Sequence, residues 1–237
     1  MTRRRWIADE VSANRAALIG DHARHLAQVL RAQVGQEFDI STGSEVRIGK
    51  ICSIHPDRVD FDLGEAIPIS ANTTITVAIS IFKFDRMEWA IEKCTELGVL
   101  RIVPVIAGRT EAHLAKAAVK RVDRWRRIVR EASEQSRRTS PPEVSEAVPF
   151  KQLVAITADA KIVLSETGET LMLRDAVLGS QSPVLAFGPE GGWTEQELAS
   201  FRKAGWKFAS LGKTILRAET AAIAAVAITL SVQSSAG

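Results

Sequence analysis

Two stretches of this sequence could hold a ligand against bare backbone. They are Phe187-Gly188-Pro189-Glu190-Gly191-Gly192-Trp193-Thr194 and, further along, Leu211-Gly212-Lys213-Thr214-Ile215-Leu216-Arg217-Ala218-Glu219-Thr220-Ala221. Three glycines and one proline fall within Phe187–Gly192, which suits a chain that turns sharply and lets a ligand touch its main chain where a Cβ would intervene. An apolar run, Pro183-Val184-Leu185-Ala186-Phe187, precedes the first stretch as a buried strand, and Thr194-Glu195-Gln196-Glu197-Leu198 opens a helix with acidic residues. The second stretch repeats the plan: Trp206 to Leu211 is strand-like, and Arg217 to Leu230 is an alanine-rich helix. Both loops therefore end at a helix amino terminus, where backbone N–H groups are free to bind a ligand.

Gly212-Lys213-Thr214 reproduces the end of a phosphate-binding P-loop, but the spacing excludes that motif. A P-loop needs a further glycine five residues earlier, where Lys207 stands; Gly205 lies two residues too early. One such strand-to-helix turn would be ordinary. Two of this composition at one sheet edge favour a cofactor site.

The elements that must position these loops divide near residue 72. Before it, Phe38–Ile40, Val46–Ile48, Ile51–Ile54 and Val59–Leu63 are short alternating segments punctuated by Gly35, Gly43, Gly49, Pro56 and Gly64, the pattern of a small antiparallel barrel. His22 to Arg31 interrupts it as a short helix with Asp21 as its cap. After it, Thr74–Ile81, Ile102–Ile106, Ala160–Leu164, Val184–Phe187 and Phe208–Leu211 predict a mostly parallel sheet covered by helices on both faces. Ser140 to Pro149 reads as a connecting loop. Between Lys116 and Arg138 stand nine lysines and arginines against three acids, Asp123, Glu131 and Glu134. Val122, Trp125, Val129 and Ala132 form one helical stripe, leaving most of those arginines to solvent or to RNA.

Composition narrows the class. The chain has 237 residues, 46% of them hydrophobic, and a net charge of +3, enough for one large core or two modest ones. No run approaches a membrane span, and Met1-Thr2-Arg3-Arg4-Arg5 leads into mixed polar sequence, so the expected compartment is the cytoplasm. Cys52 and Cys94 are isolated thiols, read as small buried hydrophobes. His22, His25, His55 and His113 are scattered, so no zinc or other metal site is expected.

The two loops resemble those of the knotted SPOUT methyltransferases, specifically the family that methylates N3 of uracil 1498 in 16S ribosomal RNA. Lys83-Phe84-Asp85-Arg86-Met87-Glu88-Trp89, continuing through Lys93 to Glu96-Leu97-Gly98-Val99, resembles that family's first methyltransferase helix; Arg124-Trp125 and Glu134-Gln135-Ser136 through Arg138 resemble a later one. Arg5-Trp6, His25-Leu26, Val29-Leu30-Arg31 and Gly35 fit its amino-terminal part. Thr214 departs from the arginine usual there.

The resemblance implies an α/β fold: a PUA-like β-barrel RNA-binding domain over residues 1–71, then a SPOUT methyltransferase domain over 72–237 with a deep trefoil knot and a mostly parallel sheet. It implies S-adenosylmethionine as cofactor, 16S rRNA of the small subunit as partner, and a homodimer, with the helix from Ala218 to Leu230 offering an apolar face. The cofactor's adenine would meet backbone around Leu211, Gly212, Ile215 and Leu216, and its methionine end would lie near Gly188 and Gly191. Phe187, Pro189, Gly192, Ala218 and Thr220 belong to the same walls, and Leu164-Ser165-Glu166 would supply a third. Arg3, Arg4, Arg5, Arg31, Lys83, Arg86, Arg109 and Arg138 would meet RNA, and Trp6 either stacks on RNA or anchors the barrel core.

Uracil N3 carries a proton in the neutral base, so methylation requires its removal and stabilisation of charge on the flanking carbonyl oxygens. Arg217 is the first candidate stabiliser, with Lys83, Arg86 and Arg109 behind it. Glu190 and Glu219 are the carboxylates nearest the expected methyl, or else tie their loops to helix amino termini; the residues do not name the base. Two other readings stay open: a ribose 2′-O-methyltransferase of the same superfamily, and a non-catalytic RNA-binding ribosome-assembly factor.

Overall fold

The computed structural model describes residues 4–68, 73–165 and 171–235. Two compact units result: Met1–Ala71 together with Ser133–Pro141, and Asn72–Ala132 together with Pro142–Gly237.

The first unit is a curled, mostly antiparallel sheet of six strands, β1 (Arg5–Ile7), β2 (Glu10–Ser12), β3 (Arg15–Ile19), β4 (Glu37–Ser41), β5 (Val46–His55) and β6 (Arg58–Ile67), in the order β1-β4-β5-β6-β3-β2. One stretch of chain carries both ends of that order. Ala8 donates to Ser41 beyond β1, whereas Asp9 donates to Ala17 ahead of β2, so the first strand changes partner between adjacent residues and draws the two edges together. Trp6, only 2% exposed, fills the core with Leu18, Leu26, Ile40 and Phe61; it anchors the core of this sheet rather than offering a platform for RNA, and Arg4 lies over its ring.

Three expectations change here. Gly49 does not end a strand: β5 runs straight through it, and a Cβ there would lie 2.3 Å from Ile40 Cγ1, so the glycine permits close packing against a buried side chain. Asp21 is not the cap. Helix α1 (Asp21–Arg24) starts after Gly20, whose φ of 61° only glycine adopts freely, and Asp21 pairs with Arg24 inside the first turn. The rest of the predicted helix is a wider π-helical turn, His25–Val29, ending before Arg31 at φ 51°. Ser133–Pro141 joins this unit because Asp39, buried in β4, needs counter-charge: Arg137 Nη2 donates to it at 2.7 Å, and Arg5 stands 3.9 Å away while donating to the Arg137 carbonyl. Burial, then the Arg137 charge, holds Arg5 below the usual arginine range, with Asp39 acting in the opposite sense.

The second unit has a parallel sheet of β7 (Thr76–Ser80), β8 (Arg101–Ile106), β9 (Glu143–Val144), β10 (Val148–Pro149), β11 (Ala160–Leu164), β12 (Pro183–Phe187) and β13 (Lys207–Ala209), ordered β10-β8-β7-β12-β11-β13 with β9 also on β8. The two short strands lie in the span read as a loop. They pair for only two residues each, and β10 ends the sheet order, the edge position at which a sheet tolerates Pro149.

Alternation within each strand feeds two cores. Val77, Ile79, Ile102, Ile162, Leu185 and Phe187 join one, with helices α2 (Phe84–Glu96), α3 (Ala112–Ala118), α4 (Val122–Gln135), α6 (Leu173–Ala176) and α8 (Ala218–Ser235). Ala78, Val103, Val105, Val163, Val184 and Ala186 join the other, with α5 (Phe150–Val154) and α7 (Glu195–Lys203). In α2 the buried residues Met87, Ala90, Ile91 and Cys94 recur at helical spacing. In α4 the predicted stripe of Val122, Trp125, Val129 and Ala132 is buried, and Arg124 and Arg126 pair with Glu88 and Glu146. Helix α8 turns Ala222, Ala225 and Val226 into its own unit, against α2 and α6. Among the described residues no helix is long and apolar enough to cross a membrane.

Replacing Gly49 with alanine should lower stability by about 1–3 kcal/mol, the range for overpacking a filled core. Urea unfolding measures it. A loss below a few tenths would show that Ile40 yields freely.

Candidate functional site

Every loop that matters leaves the carboxyl end of a parallel strand, where open α/β sheets bind ligands. The segment after β12 turns at Gly192, whose φ is 70° and whose N–H bonds the Pro189 carbonyl at 2.7 Å. Thr194 then caps α7: its hydroxyl accepts from Glu197 N at 3.2 Å, while the Glu197 carboxylate accepts from Thr194 N at 2.8 Å. The same carboxylate accepts from Gly108 N at 2.7 Å, tying in the loop after β8. Trp193 before the cap and Leu198 within α7 are both buried in one cluster, a staple that fixes how the chain enters the helix.

Two arginines hold the glycines from outside. Arg109 donates to the Gly191 carbonyl, and Arg86, from α2, forms a 2.7 Å ion pair with Glu190. A Cβ at Gly188 would sit 3.3 Å from Trp193 Nε1 and 3.4 Å from the Gly192 backbone, so a side chain there would press the indole and the turn apart by a few tenths of an ångström. In the loop after β13, Ser210 Oγ accepts from Gly212 N at 3.1 Å, across a φ of 137° at Gly212. The following Ile215 is 80% exposed.

These loops enclose a cavity of about 650 Å³. It is lined by Leu164, Ser165, Phe187, Gly188, Pro189, Glu190, Gly191, Gly192, Leu211, Gly212, Ile215, Leu216, Arg217 and Ala218, together with Arg86 and Arg109. Thr214, where arginine was expected, also faces it. Thr220 does not: it is exposed, because on a helix it points away from the side that carries Ala218, Glu219 and Ala221 into the cavity. Lys83 is exposed just before α2 and is not among the lining residues. Arg86 and Arg109, assigned to RNA from sequence, grip the glycine loop.

In the first unit, Arg4 and Arg31 are exposed, whereas Arg5 is engaged with Arg137 and Asp39. Arg138 is half-buried and donates to the Ser140 carbonyl; burial pushes it down to about 10. Arg3 and Glu166 lie outside the described residues.

Sequence reasoning passed over Trp193, Ser210 and Lys213, all of which line the cavity. Trp193 belongs to the first motif, but its indole reads as core until the loop is folded. Trp193 Nε1 and Glu219 Oε2 are buried with no hydrogen-bond partner. Such groups are costly to bury alone and are answered when a ligand brings the complementary atom.

The cysteines stand apart from this chemistry. Cys52 is half-buried and Cys94 fully buried, and burial pushes the Cys94 thiol up to about 12. Its raised folded value stabilises the protein below the ordinary thiol range of about 8.5 and loses that contribution as pH climbs toward the folded value. Iodoacetamide at pH 8 should therefore label Cys52 first and Cys94 only on unfolding, as read by peptide mass spectrometry. A second expectation concerns the loop: Arg109→Ala should speed amide exchange at Gly191 and Gly192 while leaving α7 protected by its capping box. Unchanged exchange would mean that the Arg109 bond does not hold the turn.

A family model for an RNA methyltransferase domain matches residues 70–230. The ribosomal RNA small subunit methyltransferase E of Bacillus subtilis is 32% identical over 225 residues, 89% of this chain and 87% of that protein. The Synechocystis protein of that name is 38% identical over 160 residues, 65% of this chain; the aligned part spans about half, 52%, of that protein. A crystal structure of ribosomal RNA small subunit methyltransferase E from Neisseria gonorrhoeae, bound to S-adenosyl methionine, superposes with a TM-score of 0.87 at 30% identity, covering 97% of this chain and 98% of that one. With its glycine loops set around one cavity at the carboxyl ends of a parallel sheet, the chain belongs to the RNA methyltransferase family, among the ribosomal RNA small subunit methyltransferases E.

Proposed function

We propose that this chain methylates N3 of a uridine in 16S ribosomal RNA, the position being uracil 1498, with S-adenosylmethionine as methyl donor. The observation that carries this is the cavity itself: two loops rich in glycine, in a family member whose relative binds that cofactor. The residues fit the group. A side chain at Gly188 would crowd Trp193 and the Gly192 backbone, and Trp193 Nε1 offers an unanswered donor to a ligand that carries acceptors.

Leu211, Gly212, Ile215 and Leu216 would hold the adenine, and Gly188 and Gly191 the methionine end. When bound, S-adenosylmethionine supplies a methyl group on a positively charged sulfur. Arg217 meets the charge that develops on the uracil carbonyl oxygens: it is exposed at the cavity wall and has no ion pair among the described residues, so its guanidinium is available. The first unit serves as a PUA-like RNA-binding domain, in which the exposed Arg4 and Arg31 supply phosphate contacts and the target base enters the cavity unstacked.

The finer fold follows the same reading. The chain passes through itself as a trefoil knot, supported by β11 lying between β12 and β13, so that both loops arise beside one strand. The protein acts as a homodimer in the cytoplasm.

The decisive experiment maps methylated nucleosides in ribosomal RNA from cells with and without the protein. Loss of N3-methyluridine supports the reading, and loss of a ribose methyl overturns it. Within the purified enzyme, Arg217→Ala should slow single-turnover methyl transfer by roughly 10²–10³-fold with cofactor affinity nearly unchanged, and lysine should restore part of the rate. A rate loss matched by lost cofactor binding would instead make Arg217 a pin for the loop.

A further inference from the structure

Three carboxylates line the cavity, and their surroundings differ. Glu195 is exposed in the first turn of α7. Glu190 is partly exposed and paired with Arg86 at 2.7 Å. Glu219, in the first turn of α8, has a side chain only 6% exposed; its Oε1 lies 4.0 Å from Arg86 Nε, beyond a hydrogen bond, and its Oε2 has no partner. One arginine thus serves two carboxylates unequally. Its short contact goes to Glu190, leaving Glu219 with an oxygen that can only accept.

We propose that Glu219 recognises the N3–H of the target uracil and takes its proton. This rests on the reading of the protein as a uracil-N3 methyltransferase. The imide edge of uracil presents an acceptor, a donor and an acceptor in a row, and a complementary wall needs an acceptor flanked by cationic donors. Glu219 is that acceptor, with Arg217 two residues before it in the chain and Arg86 near its other oxygen. Cytosine, which presents a lone pair at N3, would set that lone pair against the carboxylate.

In the step itself the N3–H bond breaks and an O–H bond forms at Oε2. The electron pair stays on N3 as the nucleophile, and the carboxyl group later returns the proton to solvent. The negative charge passes from the carboxylate to the uracil ring, where Arg217 faces it. The other charged groups on the cavity wall are Arg86, Arg109 and Lys213 on one side of the balance and Glu190 and Glu195 on the other.

The test uses Glu219→Gln in the full chain, with nucleoside mapping first establishing that the wild type methylates uracil N3; a different product would remove the underlying reading before this one. The glutamine variant should bind S-adenosylmethionine with unchanged affinity by calorimetry and unfold at the wild-type temperature. Its single-turnover rate should fall by about 10² or more, the usual contribution of a general base, and climb with pH through the range where N3 ionises unaided. RNA carrying 5-fluorouridine, whose N3 is more acidic, should restore much of the variant's rate and change the wild type little. Equal losses on both RNAs, or a rate loss matched by weakened cofactor binding, would overturn the proposal. If the glutamine variant does not fold, Glu219→Asp must show the same dependence on N3 acidity in weaker form.

Discussion

Glycine loops cannot hold themselves, and the arrangement of this site follows from that constraint. A turn stripped of side chains exposes its N–H and C=O groups to a ligand, yet has nothing of its own to pack. Here neighbouring elements supply the hold: Arg109 on the Gly191 carbonyl, Arg86 on Glu190, and Glu197 joining Thr194 to Gly108. Each contact comes from a different strand end or helix, so the loop is fixed only when the sheet is assembled. Trp193 closes the arrangement on the apolar side, with Phe150 and Phe201 packed about its ring at centroid distances of 5.9 and 5.0 Å. The same indole then presents its N–H without a partner beside Gly188. One residue thus packs the core and lines the cavity.

The first unit is organised by a different demand. Asp39 is a buried carboxylate in a strand, and charges so placed persist only with partners. Its partners are Arg5, on the neighbouring strand, and Arg137, which arrives from far along the chain. Ser41, two residues on, donates to the Thr139 carbonyl. A segment remote in sequence is thereby stitched to the small sheet by polar contacts rather than by an apolar face.

This difference decides what the sequence could reveal. Apolar runs made β7, β8, β11 and β12 legible, since each strand is buried on both faces and feeds one core with odd positions and the other with even ones. The two loops were legible because glycine and proline spacing marks turns directly, and both line one cavity; which of their residues would meet a cofactor was implied by the family resemblance. The return of Ser133–Pro141 was not legible, because a buried ion pair leaves no periodic trace. Gly49 misled for a related reason: glycine signals a turn or a close approach equally well, and only the position of Ile40 distinguishes them. Thr220 failed on helical phase. A motif written as a string gives adjacent residues equal weight, whereas the helix turns one of them outward.

Charge placement carries the functional argument further than any motif could. Read as letters, Glu190 and Glu219 are equivalent acids in equivalent loops. Folding separates them: one meets water and an arginine at 2.7 Å, the other is sealed in the first turn of a long helix with an oxygen left over. A carboxylate oxygen placed there has neither an arginine hydrogen bond nor a competing solvent shell. Arg86 engages Glu190 Oε1 and so ties the glycine loop to α2. The difference between two like residues therefore arises from where a single guanidinium makes its short contact.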